Sequence, residues 1–428
     1  MLSSMITYSM EPNRWVVAAA AVIMQTGLGS FYGWSVFREP LSSLYGANVT
    51  RVNVTFFIAA LMVGFAAFGG GILVRRIGPR VVGVTGGVLY GLGLFSASFA
   101  EGNLPVLYLT YGLIAGTGVG LGYIAPVAAL PGWFPERPGL GYGIAVCGFG
   151  AGPAIGVPAA NYLISSAGGP LQAFGILGLA YVVLVGGAAL FMKNPPEDHQ
   201  PDRLQRPGQE SDKATEQHSW DFRGALRTWQ WYAMWIMLFL NATAGLAIIS
   251  DAKEMAASIG GASAAFASTF VVLVALADVA GRLFWPALSD RIGPRHVFLM
   301  MFLLQAAALL LLPLLGAGRF AIFAIFASIV LTCYGGGYGT MPALADAYYG
   351  PRDVGAIYGG IITASGVAGF GAPLLLAWLV DTTGSYSPAL YVTAGVMLVG
   401  AVIALALGPP RAPRGAEVGT ALDSRRVR

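Results

Sequence analysis

Charged residues are scarce in this chain. Only 10% of its 428 residues are Asp, Glu, Lys or Arg, whereas soluble domains carry about 25%. Apolar residues make up 56% of the sequence. This composition argues against a water-soluble protein and predicts a chain that lies mostly within a lipid bilayer.

Cysteine and histidine are nearly absent as well. Cys147 and Cys333 fall inside apolar segments, and we expect them to be small core residues without a disulfide or metal role. The histidines, His199, His218 and His296, lie in polar segments. The sequence has neither a His-Glu-x-x-His motif nor a Ser/Lys dyad. We therefore predict no enzyme, no metal site and no cofactor.

Glycine, in contrast, is abundant, with 60 residues. The run Gly116–Gly122 contains the Gly-x-Gly pattern of nucleotide-binding loops, but it lies inside an apolar stretch with no preceding strand. Small residues let helices approach closely in a membrane. We predict a packing role for this run and no nucleic acid partner.

Twelve windows of about 20 apolar residues, the length that spans a bilayer, divide the chain. Six precede and six follow the polar segment Lys193–Thr228, which is rich in proline and charge and is predicted to be a solvated linker. A short amphipathic helix is expected near Trp220–Arg227. The predicted domains are a six-helix bundle over 1–192, a linker over 193–228, a second bundle over 229–408 and a tail over 409–428.

An internal repeat supports this division. The pentapeptide Arg-Ile-Gly-Pro-Arg occurs at residues 76–80 and again at 291–295, a shift of 215 residues, at the end of the second window of each half. Tyr142 and Gly143 recur as Tyr358 and Gly359 after a shift of 216. The repeat predicts an all-α membrane protein of twelve transmembrane helices in two pseudo-symmetric six-helix bundles, with any substrate site near the midplane between them.

The basic residues predict the orientation. Most Lys and Arg residues fall in loops that would share one side of the membrane with both termini, including Arg75, Arg76 and Arg80. The positive-inside rule then places both termini in the cytoplasm, with the chain in the plasma (inner) membrane. The first apolar run, Arg14–Phe37, lacks a preceding basic flank and is predicted to be a retained helix.

The strongest functional signal lies in Ala264–Arg295. Asp278 and Arg282 interrupt its apolar part, and residues four apart share one face of a helix. Because a charge at the centre of a membrane helix costs roughly 2.5–3.5 kcal/mol or more, such residues mark function or a pair. A guanidinium can bind a substrate carboxylate through two parallel hydrogen bonds. The alternative is a permanent structural ion pair between Asp278 and Arg282.

The two pentapeptides and their flanks resemble the loop motif of the major facilitator superfamily, a Gly, three residues, Asp-Arg, then Gly and basic residues. The positions that match the motif are Gly71, Arg76, Gly78 and Arg80 in the first copy and Asp290, Arg291, Gly293 and Arg295 in the second. The resemblance implies that these residues gate conformational change. Pro286 replaces the usual Gly of the second copy, and Arg75 replaces the Asp of the first copy. The second departure puts the usual charge latch of the first half in doubt.

Within that superfamily, the chain resembles the oxalate:formate antiporter and monocarboxylate transporter branch over essentially its whole length. The stretches that carry this resemblance are residues 13–15 and 32–37 at the first apolar window (about 14–38), 118–123 in the fourth (about 104–128), 133–137 in the next loop, 282–285 in the eighth (about 264–288) and 334–338 in the tenth (about 319–345).

The resemblance assigns roles to particular residues. It implies that Arg282 binds the substrate carboxylate and that Asp278 exchanges the coupled proton. It places Tyr32, Tyr123 and Tyr338 in the substrate pocket, and Tyr334 where the oxalate carriers have a tryptophan. Ser365 stands where those carriers hold a lysine, a second cation for a dicarboxylate. One membrane cation suits one carboxylate, so we expect a monocarboxylate rather than oxalate as substrate.

The resulting interpretation is a monomeric carrier of small monocarboxylates such as lactate or pyruvate. We expect it to move its organic anion together with a proton by alternating access. A carboxylate antiporter without proton coupling is the first alternative, and a membrane sensor that binds a carboxylate without moving it is the second.

Overall fold

A computed structural model describes residues 13–196 and 220–411. Within these ranges the regular structure is helical, and we number the twelve long helices α1–α12. The helices of the first half are α1 (Arg14–Tyr45, with a 3₁₀ turn at Ser30–Trp34), α2 (49–77), α3 (79–97), α4 (Leu104–Trp133), α5 (Pro138–Ser166) and α6 (Pro170–Ala189). Those of the second half are α7 (Trp229–Ser250), α8 (Ala264–Ile292), α9 (Pro294–Leu315), α10 (Phe320–Tyr349), α11 (Val354–Thr383) and α12 (Ser387–Ala406).

Two glycines of the repeated pentapeptide separate neighbouring helices. Gly78 has φ 81° between α2 and α3, and Gly293 has φ 85° between α8 and α9. An L side chain rarely adopts this left-handed region, whereas glycine does so at little cost. The chain continues almost directly through Gly78, so α2 and α3 form one continuous stretch. With these two helices counted as one, eleven stretches among the described residues are long and apolar enough to span a membrane. Counted on either side of Gly78, they are the twelve predicted spans.

Helical structure follows from the apolar surroundings, because a helix satisfies its backbone hydrogen bonds internally. Three helices begin at an asparagine whose side chain accepts from the first turn: Asn13 from the amide of Trp15, Asn48 from that of Arg51, and Asn103 from that of Val106. Glycines then allow close packing, and a side chain at Gly86 of α3 would collide with the backbone of α4.

The two halves meet through α5 with α8 and through α2 with α11. Since successive helices alternate in direction, both pentapeptides lie at the same end of the bundle, which we call the motif face. A short helix at Phe222–Ala225 precedes α7, inside the segment where an amphipathic helix was predicted. Linker residues 197–219, with His199 and His218, and tail residues 412–428 lie outside the described ranges. The domain boundaries stay a prediction.

Candidate functional site

A buried ion pair lies midway along α8. The Arg282 Nε donates to both carboxylate oxygens of Asp278 at 3.1 Å, as the spacing of four residues predicts. Arg282 is only 1% exposed and Asp278 only 7%. Removing one partner would leave an uncompensated buried charge, which typically costs about 3–5 kcal/mol. Each of these two buried charges therefore has to be neutralised by the other or by a bound ion of opposite charge.

Two aromatic rings and one carbonyl complete the surroundings of the guanidinium. Its Cζ lies 4.9 Å from the centre of the Tyr338 ring on α10 and 5.8 Å from that of Phe149 on α5. The Arg282 Nη1 also donates to the Val146 carbonyl of α5 at 3.4 Å. Arg282 thus contacts the first half of the chain although it belongs to the second.

A small cavity of about 40 Å³ lies against Arg282, between the two halves. The residues that line it are Phe31, Tyr32, Phe56, Ala60, Val63, Tyr123, Phe149, Leu246, Arg282, Tyr338, Ile362, Ser365, Gly366 and Gly369. Arg282 is the one charged side chain among these described residues, and most of the others are apolar or aromatic. One water occupies about 10–15 Å³ by this measure. The cavity therefore suits an anion of a few heavy atoms.

The structure brings together most of the residues predicted from the sequence. Tyr32, Tyr123, Tyr338, Arg282 and Ser365 all line the cavity, and the Ser365 hydroxyl donates to the Ile362 carbonyl at 2.9 Å.

Two of the predicted site residues are not among the described residues that line the cavity. Asp278 lies behind Arg282, and Tyr334 packs against Gly245 of α7. The Tyr338 hydroxyl donates to that of Tyr334 at 3.5 Å. Tyr334 therefore supports the ring that covers the guanidinium.

Tyr358 of α11 is a site residue that the sequence reasoning missed. Its buried hydroxyl donates to the Tyr338 carbonyl at 3.1 Å and so accepts from the Tyr123 hydroxyl, also at 3.1 Å. These two hydrogen bonds join α4, α10 and α11 beside the cavity, which Tyr123 and Tyr338 line. Tyr123 and Tyr338 are separated by the same 215 residues as the pentapeptides, a signal that pairs the two tyrosines in the sequence.

The motif face is held closed by contacts between the halves. Asp290 at the end of α8 accepts from the amides of Gly139 and Leu140, at 2.7 and 3.0 Å, in the first turn of α5. This carboxylate satisfies amides that a helix N-terminus leaves free, and its charge suits the helix dipole.

The first copy of the motif makes an ion pair at the corresponding position, where the second copy makes hydrogen bonds to backbone amides. Arg75, which stands in place of the motif's Asp, forms an ion pair with Asp353 before α11. Asp353 also accepts from the amide of Phe222 at 3.3 Å. Nearby, a side chain at Gly71 would collide with the Gly355 carbonyl. The carboxylate of this contact therefore comes from the second half of the chain, and the first half supplies the arginine.

The remaining motif residues lie around these contacts. Arg295 donates to the carbonyls of Ala404, at 2.9 Å, and Leu405, and so ties α9 to the end of α12. Arg76, Arg80 and Arg291 are exposed at the motif face. Gly78 and Gly293 form the turns between the helices, and none of these described residues lines the cavity.

Comparison with known proteins shows the family. A model of the Major Facilitator Superfamily matches residues 14–251 and 234–425. The chain is 28% identical to the MFS-type transporter YhjX of Escherichia coli, over 83% of this chain and 86% of that protein. It is 26% identical to the oxalate:formate antiporter of Oxalobacter formigenes, with 82% of each chain covered. It is 25% identical to monocarboxylate transporter 12 of Rattus norvegicus, over 86% of this chain and 80% of that one.

Solved structures support the same fold. The crystal structure of the transporter FucP in its outward conformation superposes with a TM-score of 0.67 at 16% identity, covering 93% of this chain and all of that one. The proton:xylose symporter XylE gives a TM-score of 0.70 at 14% identity, covering 92% and 96%.

Proposed function

Because the chain belongs to the major facilitator superfamily, we propose that it carries small monocarboxylates, of the size of lactate or pyruvate, together with a proton by alternating access. The observation that supports this proposal most is the position of Arg282. It is buried, lines the small cavity between the halves, and is the single charge among the described lining residues. A planar guanidinium recognises a carboxylate through two parallel hydrogen bonds.

Arg282 would bind the anion through its Nη atoms. Asp278 occupies Nε on the other side of the guanidinium. A carboxylate that enters the cavity competes with Asp278 for the same positive charge. Asp278 then takes up a proton, because an unpaired carboxylate buried among apolar groups is costly. One anion and one proton give a neutral load, which can cross the membrane at less cost than the anion alone.

The other cavity residues would determine how many carboxylate groups the substrate carries and how large its carbon chain can be. Ser365 supplies no second cation, so a dicarboxylate would bury one charge without a partner. The aromatic lining of the cavity offers an apolar surface for a short carbon chain. The supporting comparisons are the similarities to an oxalate:formate antiporter and to a monocarboxylate transporter.

The contacts at the motif face would form one gate. Asp290 holds the start of α5, and Arg75 holds Asp353 at the start of α11. Both join the two halves, so both must break when the motif face opens. We place the motif face on the cytoplasmic side of the plasma membrane and expect the carrier to act as a monomer.

An antiporter of carboxylates is the second candidate, favoured by the relative from Oxalobacter formigenes. Transport assays with the purified protein in liposomes distinguish a symporter from an antiporter. A symporter accumulates labelled lactate or formate when only an inward-directed proton gradient is imposed. An antiporter shows rapid counterflow against internal substrate but no accumulation from the proton gradient, and that result would reject proton coupling.

A further inference from the structure

The Asp278 carboxylate is enclosed by two glycines from different halves of the chain. A Cβ built on Gly150 of α5 would lie 2.5 Å from the Asp278 Oδ2. A Cβ on Gly335 of α10 would lie closer still to Oδ1. Real Cβ atoms essentially never approach a heavy atom within 3.0 Å. Each oxygen is therefore covered by the backbone of a glycine, and a Cβ at either position would have to displace the carboxylate.

The covering residue from the first half belongs to one face of α5. Val146 accepts from the Arg282 Nη1, Phe149 lies 5.8 Å from its Cζ, and Gly150 covers the carboxylate. These three residues are spaced by three and four positions, so they lie on the same side of the helix. The face that they form contacts both members of the ion pair.

The carboxylate is also separated from the cavity. Arg282 lines the cavity, whereas Asp278 is absent from the described residues that do so. Arg282, on the same helix, is the charged group that acts on the carboxylate, and the carboxylate in turn acts on Tyr32 of α1, Tyr123 of α4 and Tyr334 of α10. Asp278 is only 7% exposed, so movement of the surrounding helices would widen the path by which a proton reaches it.

We propose that Gly150 is a positioning residue through which the first half of the chain controls proton exchange at Asp278. While α5 packs on α8, the glycine holds the carboxylate against Arg282 and closes it from the cavity. When the halves move, α5 withdraws and the carboxylate becomes free to gain or lose its proton. This inference rests on the proposed proton coupling, but the contact on which it depends can be tested without transport.

Other glycines of α5 make a different kind of contact. A side chain at Gly143 or Gly139 would meet the backbone carbonyl of Arg282 or Pro286 first, as expected for plain helix packing. At Gly150 the nearest atom is the tip of a titratable side chain. A methyl group there should therefore disturb the ion pair before it disturbs the packing of the two helices.

Thermal stability tests the contact directly. Gly150→Ala should lower the melting temperature of the purified protein, and this loss should largely disappear in an Asp278→Ala background, since contacting residues are not additive. Gly371→Ala is the matched control, because nothing lies within 4 Å of a Cβ at that helical glycine. An equal loss in both backgrounds would overturn the proposal. If Gly150→Ala alone fails to assemble, assembly of the double variant supports the proposal, and failure of the double variant under conditions in which Asp278→Ala alone assembles overturns it.

Transport in liposomes tests the consequence. Gly150→Ala should keep counterflow within about threefold of the parent, while accumulation driven by a proton gradient falls at least about tenfold, or 1.4 kcal/mol. A parallel fall of both activities, or none beyond the Gly371→Ala control, contradicts the proposal. Absence of proton-driven accumulation in the parent protein would instead reject the proposed symport and leave the stability experiment to decide on Gly150.

Discussion

Replacing Arg282 by lysine separates the charge of this residue from its shape. Lysine keeps a positive charge to neutralise Asp278, so the cost of an unpaired buried carboxylate is avoided. It has a single nitrogen, however, and cannot offer the planar fork that binds two carboxylate oxygens. The variant should therefore fold, with its defect confined to the cavity.

The loss can be estimated from the bonds involved. A hydrogen bond to a charged group contributes about 1.5–3 kcal/mol. Losing one of the two bonds from the guanidinium corresponds to about a 10- to 150-fold weaker affinity. Part of the contact with the Tyr338 ring, 4.9 Å from the Arg282 Cζ, should be lost as well.

Titration calorimetry with a short monocarboxylate measures this affinity. The control is Arg319→Lys, an exposed arginine at the start of α10, far along the chain from the cavity lining. That variant should bind as the parent protein does. An affinity of Arg282→Lys within about threefold of the parent, a difference below 0.7 kcal/mol, would refute the two-bond model.

Three further changes test other parts of the account. Asp278→Asn should abolish accumulation driven by a proton gradient but retain counterflow, because the amide stays neutral; substrate entry that still carries protons in this variant would contradict the role of Asp278. Arg75→Asp should open the motif face and raise the labelling of a cysteine placed there, and the exchange Arg75→Asp with Asp353→Arg should restore the closed state, whereas unchanged labelling in the single variant would exclude the latch. Ser365→Lys should raise the affinity for oxalate relative to formate by adding a second cation to the cavity, and an unchanged ratio would mean that Ser365 does not face the substrate.

The sequence predicts the twelve helices and the ion pair well, for local reasons. Apolar length sets each span, the repeated pentapeptide marks the ends of α2 and α8, and a spacing of four residues suffices to join Asp278 to Arg282. These features depend on neighbours in the chain.

Contacts between distant residues were beyond the same reasoning. Arg75 and Asp353 are 278 positions apart, and only the packing of α2 against α11 brings them together. Tyr334 and Tyr338 share one helix and similar surroundings in the sequence, yet only Tyr338 lines the cavity. Gly150 is one of many glycines in α5, and the carboxylate that it covers comes from the other half of the chain.

The position of a bound monocarboxylate tests the central claim most directly. Anomalous diffraction from crystals grown with a chlorinated short-chain acid, such as 2-chloropropionate, would locate its chlorine atom. The account predicts a peak in the cavity, with the carboxylate on the Nη atoms of Arg282 and Asp278 released from Nε. A peak elsewhere, with the pair of Asp278 and Arg282 intact, would contradict it.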